Sequence, residues 1–227
     1  MQEYICRNID KELIAWKDDS MRKPLLLRGA RQVGKSSAIR HFGKGFKYFA
    51  EVNFERHKAI KTFFQGDIDV HMIAQKISSY IKVPMVASET LLFFDEIQEC
   101  PEAIMALRFF KEDYPELHVI AAGSLLEFTL EELPTFGVGR IHSLFMYPMT
   151  FDEFLVANKE EGLISMRNES DSQHPMDIAF HEKLIEYFRI YLLVGGMPES
   201  VLACLESQQN LLLIEYQRIK NNKECNC

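Results

Sequence analysis

The sequence predicts an α/β fold in which a parallel sheet lies between two layers of helices and is followed by a small all-helical part. Three observations predict it. Short apolar runs alternate with helix-period stretches from Pro24 to Tyr147, the pattern of strands joined through crossover helices. Gly29 to Ser36 reads Gly-Ala-Arg-Gln-Val-Gly-Lys-Ser, which fits the phosphate-binding pattern G-x-x-x-x-G-K-[ST] without a mismatch. A further apolar run, Leu91-Leu-Phe-Phe94, passes straight into Asp95-Glu96.

Composition sets the bounds. A chain of 227 residues, 47% apolar and 26% charged, buries a core of useful size without disulfides or metal. Its net charge of −7 argues against a broad nucleic-acid-binding face, which needs clustered Lys and Arg. No apolar run approaches the roughly 20 residues of a membrane span, and the N-terminus has no apolar signal core, so a cytoplasmic location is expected. The five cysteines are scattered and do not resemble a disulfide framework. Cys6, Cys100 and Cys204 read as buried or partly buried thiols. Cys225 and Cys227 fall in a polar tail, 222–227, that reads as disordered and lacks a zinc set.

In chain order, Asp10 to Asp19 reads as a short helix with Asp10 as its N-cap and Leu13, Ile14 and Trp16 apolar; Trp16 is read as packing. Pro24 to Leu27 is a buried strand feeding the loop, and a helix over about 35–42 ends at Gly43 and Gly45. Phe46 to Phe54 is a second strand, and the alternating Glu51, Asn53 and Glu55 at its end suit polar groups at the rim of a sheet; a solvated edge explains them as well and is the preferred reading. Helical stretches follow over about 57–64 and 69–81, the second with Val70, Ile73, Ala74, Ile77 and Ile81 on one face. His57 and His71 read as ordinary side chains.

Thr90 to Phe94 is the third strand. Pro101 suits a first helical position, and the helix over 103–114 stops at Pro115. Leu117 to Ala122 is the fourth strand, then a short helix over 125–131, then Ile141 to Tyr147 as the fifth strand. Thr150-Phe-Asp-Glu153 is a capping box that opens a helix to about Lys159, and the polar stretch 160–175 reads as a loop. Helices over about 177–194, 198–206 and 211–220, joined through Gly195-Gly196 and 207–210, make the helical part. The expected organisation is a nucleotide-binding core over 1–160, a linker over 161–176, a helical lid over 177–221 and the tail.

The loop carries the chemistry. Gly29 and Gly34 let the backbone curl so that successive N–H groups point at a phosphate, and the following helix places its positive end there. Gly29, Ala30, Arg31, Gln32, Val33, Gly34, Lys35, Ser36 and Ser37 are therefore the candidate phosphate-binding residues, with Lys35 on the outer phosphates and the Ser36 hydroxyl on Mg²⁺. Asp95 is the second candidate Mg²⁺ ligand and Glu96 the candidate general base for an attacking water. Ser124, just past the fourth strand, suits a sensor of the terminal phosphate and equally an N-cap. Arg140 suits a cation that stabilises charge on the phosphate, in cis or across a subunit interface; an ordinary surface ion pair is the competing reading.

These motifs together resemble the AAA+-like P-loop ATPases of the archaeal-type clade, over about Ile5 to Leu202. The likeness rests on Arg28-Gly-Ala-Arg-Gln-Val-Gly-Lys-Ser36, Leu92-Phe-Phe-Asp-Glu-Ile-Gln98, Ala122-Gly-Ser-Leu-Leu-Glu127, Gly139-Arg140, Tyr147-Pro-Met-Thr-Phe-Asp-Glu-Phe154 and Gly195-Gly-Met-Pro198. The resemblance implies a three-layer P-loop NTPase with strand order 5-1-4-3-2, a helical lid that includes the Gly-Gly-Met-Pro turn, and ATP as the nucleotide. It gives Lys35 and Ser36 phosphate and Mg²⁺ binding, Asp95 and Glu96 the metal and water roles, and Ser124 the sensor position. Such proteins continue into a C-terminal domain of nuclease-like fold, so the chain reads as truncated.

The expected activity is Mg²⁺-dependent binding and slow hydrolysis of ATP coupled to conformational change, with a homo-oligomer or a protein partner and an unidentified target. A nucleotide-gated interaction module with negligible turnover and a small-molecule kinase are the alternatives. The Asp95-Glu96 pair favours water as acceptor over a second substrate. A GTPase fits poorly, because Asp95-Glu-Ile-Gln98 lacks the glycine of a D-x-x-G switch and Asn222-Lys-Glu-Cys225 lacks the acid of a guanine reader.

Overall fold

The computed structural model of the chain describes residues 4–124 and 139–207. The helices expected over 125–131 and 211–220, and the tail with Cys225 and Cys227, lie outside them. Two compact units are present, Met1–Tyr147 and Pro148–Cys227.

The first unit is built on five parallel strands: β1 (Leu25–Arg28), β2 (Tyr48–Asn53), β3 (Thr90–Asp95), β4 (His118–Ala122) and β5 (His142–Phe145). Their spatial order is β2-β3-β4-β1-β5, the expected order read from the other edge. Burial follows position. Every residue of β3 and β4 is buried, because interior parallel strands are covered on both faces, whereas β5 at the edge is mostly exposed.

Helices α1 (Asn8–Asp18), α2 (Lys35–Gly43), α3 (Val70–Ile81) and α4 (Pro101–Asp113) cover the sheet. One face packs Leu26, Val52, Leu92, Phe94, Val119 and Ala121 against α3, α4 and the 3-10 turn Lys58–Phe64. Phe54, Phe64 and Phe94 meet there with ring centroids 5.6–5.7 Å apart. On the alternate parity, Leu25, Leu27, Leu91, Phe93 and Ile120 are fully buried, and α2 packs on β3 and β4.

Several local expectations change. Asp10 is not the N-cap of α1: its carboxylate accepts from the Arg7 backbone N–H at 2.8 Å, which puts it at the third helical position of a capping box. The inward stripe of α1 is Ile9, Leu13 and Trp16, one step away from Ile14, which is 54% exposed. Trp16 is packing, as expected, with its Nε1–H on the Lys23 carbonyl at 2.7 Å. Cys100 is buried and Cys204 half-buried, whereas Cys6 is exposed.

The second unit opens with α5 (Phe151–Ala157), capped by Thr150: its Oγ1 accepts from the Glu153 N–H at 3.2 Å, and the Glu153 carboxylate accepts from the Thr150 N–H at 2.8 Å. The stretch expected to be a loop holds α6 (Glu161–Glu169) instead. Its sequence is polar enough to read as linker because only Leu163 is buried; the Arg167 fork on Asp152, at 2.6 and 2.9 Å, fixes it to α5. α7 (Ile178–Val194) packs Phe188 and Tyr191 on Phe151 and Phe154, and a final helix, α8, is described over 198–207. The Gly195-Gly196 turn between them is steric in origin. Gly195 has φ +74°, and a Cβ at Gly196 would run into the Met149 carbonyl, whose neighbouring N–H donates to the Gly196 carbonyl at 2.6 Å.

Among the described residues no helix is long and apolar enough to cross a membrane.

Candidate functional site

The site is assembled at the carboxyl end of the sheet, where β1 runs into the loop, β2 and β3 end in polar residues, and β4 is followed by Ser124. The register places Asn53 beside Asp95 and Asp95 beside Ala122, so the three strand ends are level.

Residues 29–34 turn through three positive-φ positions: Gly29 at +140°, Gln32 at +64° and Gly34 at +99°. Gly29 has a second constraint, since a Cβ there would clash with the Met146 backbone carbonyl that follows β5. Gly34 then starts α2 with no side-chain cap, leaving the first-turn amides of Lys35, Ser36 and Ser37 without an acceptor from within the helix. Those amides and the helix dipole favour an anion at this point. Val33 is buried, while Ala30, Arg31, Gln32 and Ser37 are exposed along the loop and first turn.

Lys35 is 8% exposed, and its ammonium donates to the Gly29 carbonyl at 2.8 Å and the Ala30 carbonyl at 2.7 Å. Burial lowers its pKa, Glu96 and Asp95 pull it back up, and Arg31 adds to the lowering. The two backbone carbonyls of the loop thus hold the ammonium against the loop itself.

Asp95 is buried and held by three groups. The Ser36 hydroxyl donates to Oδ1 at 2.8 Å, Asn53 Nδ2 to Oδ2 at 3.1 Å, and Arg40 Nη2 lies 3.5 Å from Oδ2. Arg40 in turn grips Glu51 through Nε and Nη2, down to 2.6 Å. Ser36 and Asp95 thus present two hard oxygen donors at one point, the donor set that suits Mg²⁺, which completes its octahedron with waters and phosphate oxygens. Among the described residues no cluster of three His, Cys, Asp or Glu could hold a metal on its own.

Arg40 has no counterpart among the residues that the sequence singles out, and Asn53 is one of an alternating trio at a strand end. The alternation of Glu51, Asn53 and Glu55 is the available signal, and against the solvated edge preferred for it Asn53 serves the carboxylate of the neighbouring strand, as the sheet-rim reading has it.

Glu96 follows Asp95 in a left-handed conformation, φ +51°, which turns the chain out of the strand. Its Oε2 accepts from Gln98 Nε2 at 2.7 Å. Ser124 is 4% exposed, and its Oγ accepts from Arg31 Nε at 3.4 Å. Lys35, Ser36, Asp95, Glu96 and Ser124 are therefore gathered at one end of the sheet.

Arg140 is not gathered with them. It precedes β5, whose first residue His142 pairs with Leu25 at the start of β1, so it lies at the amino end of the sheet. There it forms an exposed ion pair with Glu112 of α4 at 2.8 Å. This is the surface pairing that the sequence left open, and the sheet separates Arg140 from the loop of its own chain.

One unexpected residue supports the loop from outside. Arg7, 8% exposed, donates from Nη1 to the Val33 carbonyl at 2.9 Å and from Nη2 to the Tyr147 carbonyl at 2.8 Å. It ties α1, the loop apex and the exit of β5 together. A single arginine before a helix carries no sequence signal for that role.

The profile of the AAA domain family matches residues 21–155, more than half of the chain. The chain belongs to this family. The match takes in the loop, the Asp95-Glu96 pair and Ser124, so the candidate site lies within the AAA domain. No curated protein matches the sequence. Among solved structures, a Walker-type ATPase of Pyrococcus abyssi has a TM-score of 0.51 at 16% identity, over 96% of this chain and 76% of that one. The structure of C. elegans PCH-2 gives 0.46 at 15% identity, over 88% of this chain and 60% of that one. At such identities the likeness to the Pyrococcus protein concerns the fold, an α/β P-loop NTPase-like sheet.

Proposed function

We propose that this AAA domain binds ATP with Mg²⁺ and hydrolyses it slowly, and that the difference between the ATP- and ADP-bound forms drives a conformational change. The observation that carries the reading is the contact between the Ser36 hydroxyl and Asp95 Oδ1, with Glu96 the next residue on the same strand end. A phosphate loop alone supports binding; a loop joined to a buried acid and followed by a second acid supports hydrolysis.

In this reading the amides of Gly29 to Ser37 cradle the phosphates and Lys35 moves from the Gly29 and Ala30 carbonyls to the outer phosphate oxygens. Ser36 and Asp95 hold Mg²⁺, which neutralises charge on the phosphates when bound. Asn53 and Arg40 keep Asp95 oriented. Glu96 takes a proton from the attacking water, and Ser124 reads the terminal phosphate. The helical part over 177–221 is the proposed lid, and an oligomeric or protein partner is the proposed recipient of the motion.

Phosphate release from ATP with no added acceptor tests the reaction type. Turnover in Mg²⁺ that stops in EDTA is expected; phosphoryl transfer that appears only with an added small molecule would make the protein a kinase. Partner binding or oligomer size that changes between ATP and ADP while turnover stays negligible would make it a nucleotide-gated binding module.

A further inference from the structure

We propose that Arg31, carried inside the phosphate loop, is the cation that meets the terminal phosphate of the bound nucleotide and stabilises the charge that develops on it during hydrolysis. The proposal rests on the ATPase reading above and assigns to the loop itself a role for which the sequence offered Arg140.

Four observations carry it. Arg31 lies between Gly29 and Gly34, within the stretch whose backbone turns around the phosphates, and its guanidinium reaches the carboxyl end of β4, where Nε meets Ser124 Oγ at 3.4 Å. The ammonium of Lys35 is held on the carbonyls of Gly29 and Ala30, the two residues that lead into Arg31, so both cations flank the same short stretch of loop. Arg31 is exposed, and among the described residues it meets no carboxylate, whereas Arg40 pairs with Glu51, Arg140 with Glu112 and Arg167 with Asp152. Arg140 itself stands at the opposite end of the sheet.

The physical consequence is specific. A guanidinium that meets no carboxylate among the described residues and rests on a neutral hydroxyl at 3.4 Å gives up little when it turns to phosphate oxygens. Charge-assisted bonds to phosphate are roughly twice as strong as neutral ones, and the planar fork can span two oxygens. In the step itself the water oxygen bonds to the terminal phosphorus as the bond from that phosphorus to the bridging oxygen breaks. ADP leaves with the bonding electron pair, the water proton passes to Glu96, and inorganic phosphate remains. Arg31 donates N–H groups to the oxygens on which negative charge grows, and Ser124, released from the guanidinium, is free to donate to the same group.

Arg31→Ala and Arg31→Lys test this, with affinity for ADP and for the non-hydrolysable analogue AMP-PNP measured beside steady-state phosphate release. Arg31→Ala is expected to bind ADP as the wild type does, to lose AMP-PNP affinity about tenfold, and to lose turnover by about 10³-fold, in the range measured for arginine cations in such sites. Arg31→Lys is expected to recover AMP-PNP affinity more than turnover, because a point charge replaces the fork. The wild type is expected to trap ADP with aluminium fluoride and Arg31→Ala to fail to do so. A fall in turnover smaller than tenfold overturns the proposal, as does equal weakening of ADP and AMP-PNP, which would make Arg31 a brace for the loop. If the wild type itself has no turnover, the hydrolysis reading fails separately, and the split between AMP-PNP and ADP still decides whether Arg31 meets the terminal phosphate.

Discussion

Lys35, Ser36, Asp95 and Glu96 were legible in the sequence because each belongs to a short pattern whose residue types follow from phosphate and metal chemistry. Asn53 was not, because a polar residue at a strand end acquires a meaning only when the neighbouring strand is known, and that neighbour, β3, is a long way off in the chain. Arg140 belongs to the other end of the sheet of its own chain. A residue that precedes a strand lies at its amino end, while ligands of open α/β sheets gather at the carboxyl ends, so topology alone argued against a role in its own subunit. At this scale Lys35→Ala is expected to abolish nucleotide binding measured by equilibrium titration; tight binding retained by the variant would make the loop decorative. Asn53→Ala removes one of the bonds that orient Asp95. Its Mg²⁺-dependent turnover is expected to fall about tenfold, the scale of a net bond to a charged group, while nucleotide affinity in EDTA stays unchanged.

Elements were read more evenly than residues. Strands and helices from β1 to β4 were found because their apolar periods are strong and punctuated by Gly and Pro. The helix α6 was missed because a single buried leucine and one ion pair hold it, leaving almost no apolar period to detect. The Gly-Gly turn before α8 is visible as a motif, whereas its cause, the carbonyl of Met149 against Gly196, is a contact between residues far apart in the chain. Two substitutions probe elements directly. Thr150→Ala deletes the cap of α5 and is expected to cost about 1 kcal/mol, seen as a lower denaturation midpoint with nucleotide binding by the first unit unchanged. Gly29→Ala adds a methyl at φ +140° against the Met146 carbonyl and is expected to cost about 2 kcal/mol or more and to displace the loop, so that stability and nucleotide affinity fall together.

For the molecule as a whole, the parallel order β2-β3-β4-β1-β5 explains why the candidate residues Lys35, Ser36, Asp95, Glu96 and Ser124 gather at one end of the sheet. The amino end holds its own titrating group. His118 is buried beside the rings of Trp16 and Phe46, and burial, then the charges of Arg22 and Lys17, push its pKa down to about 4. The folded state therefore keeps this imidazole neutral where the unfolded chain, with an ordinary value of about 6.5, would protonate it. Its stabilising contribution is complete above about pH 6.5 and is lost progressively as pH falls towards 4. Thermal unfolding between pH 7 and 4 is expected to show a steeper loss of Tm for the wild type than for His118→Phe; parallel curves would mean that His118 does not titrate with folding.

Phosphate release from Mg·ATP by the wild type and by Glu96→Gln decides whether the acids at the end of β3 perform hydrolysis. The wild type is expected to turn over, and the variant, whose amide cannot accept the proton of water, is expected to bind ATP as tightly and release phosphate 10²- to 10⁴-fold more slowly, about the contribution of a general base. Turnover by Glu96→Gln equal to that of the wild type would contradict the assignment of Glu96 and with it the hydrolytic site built around Ser36 and Asp95.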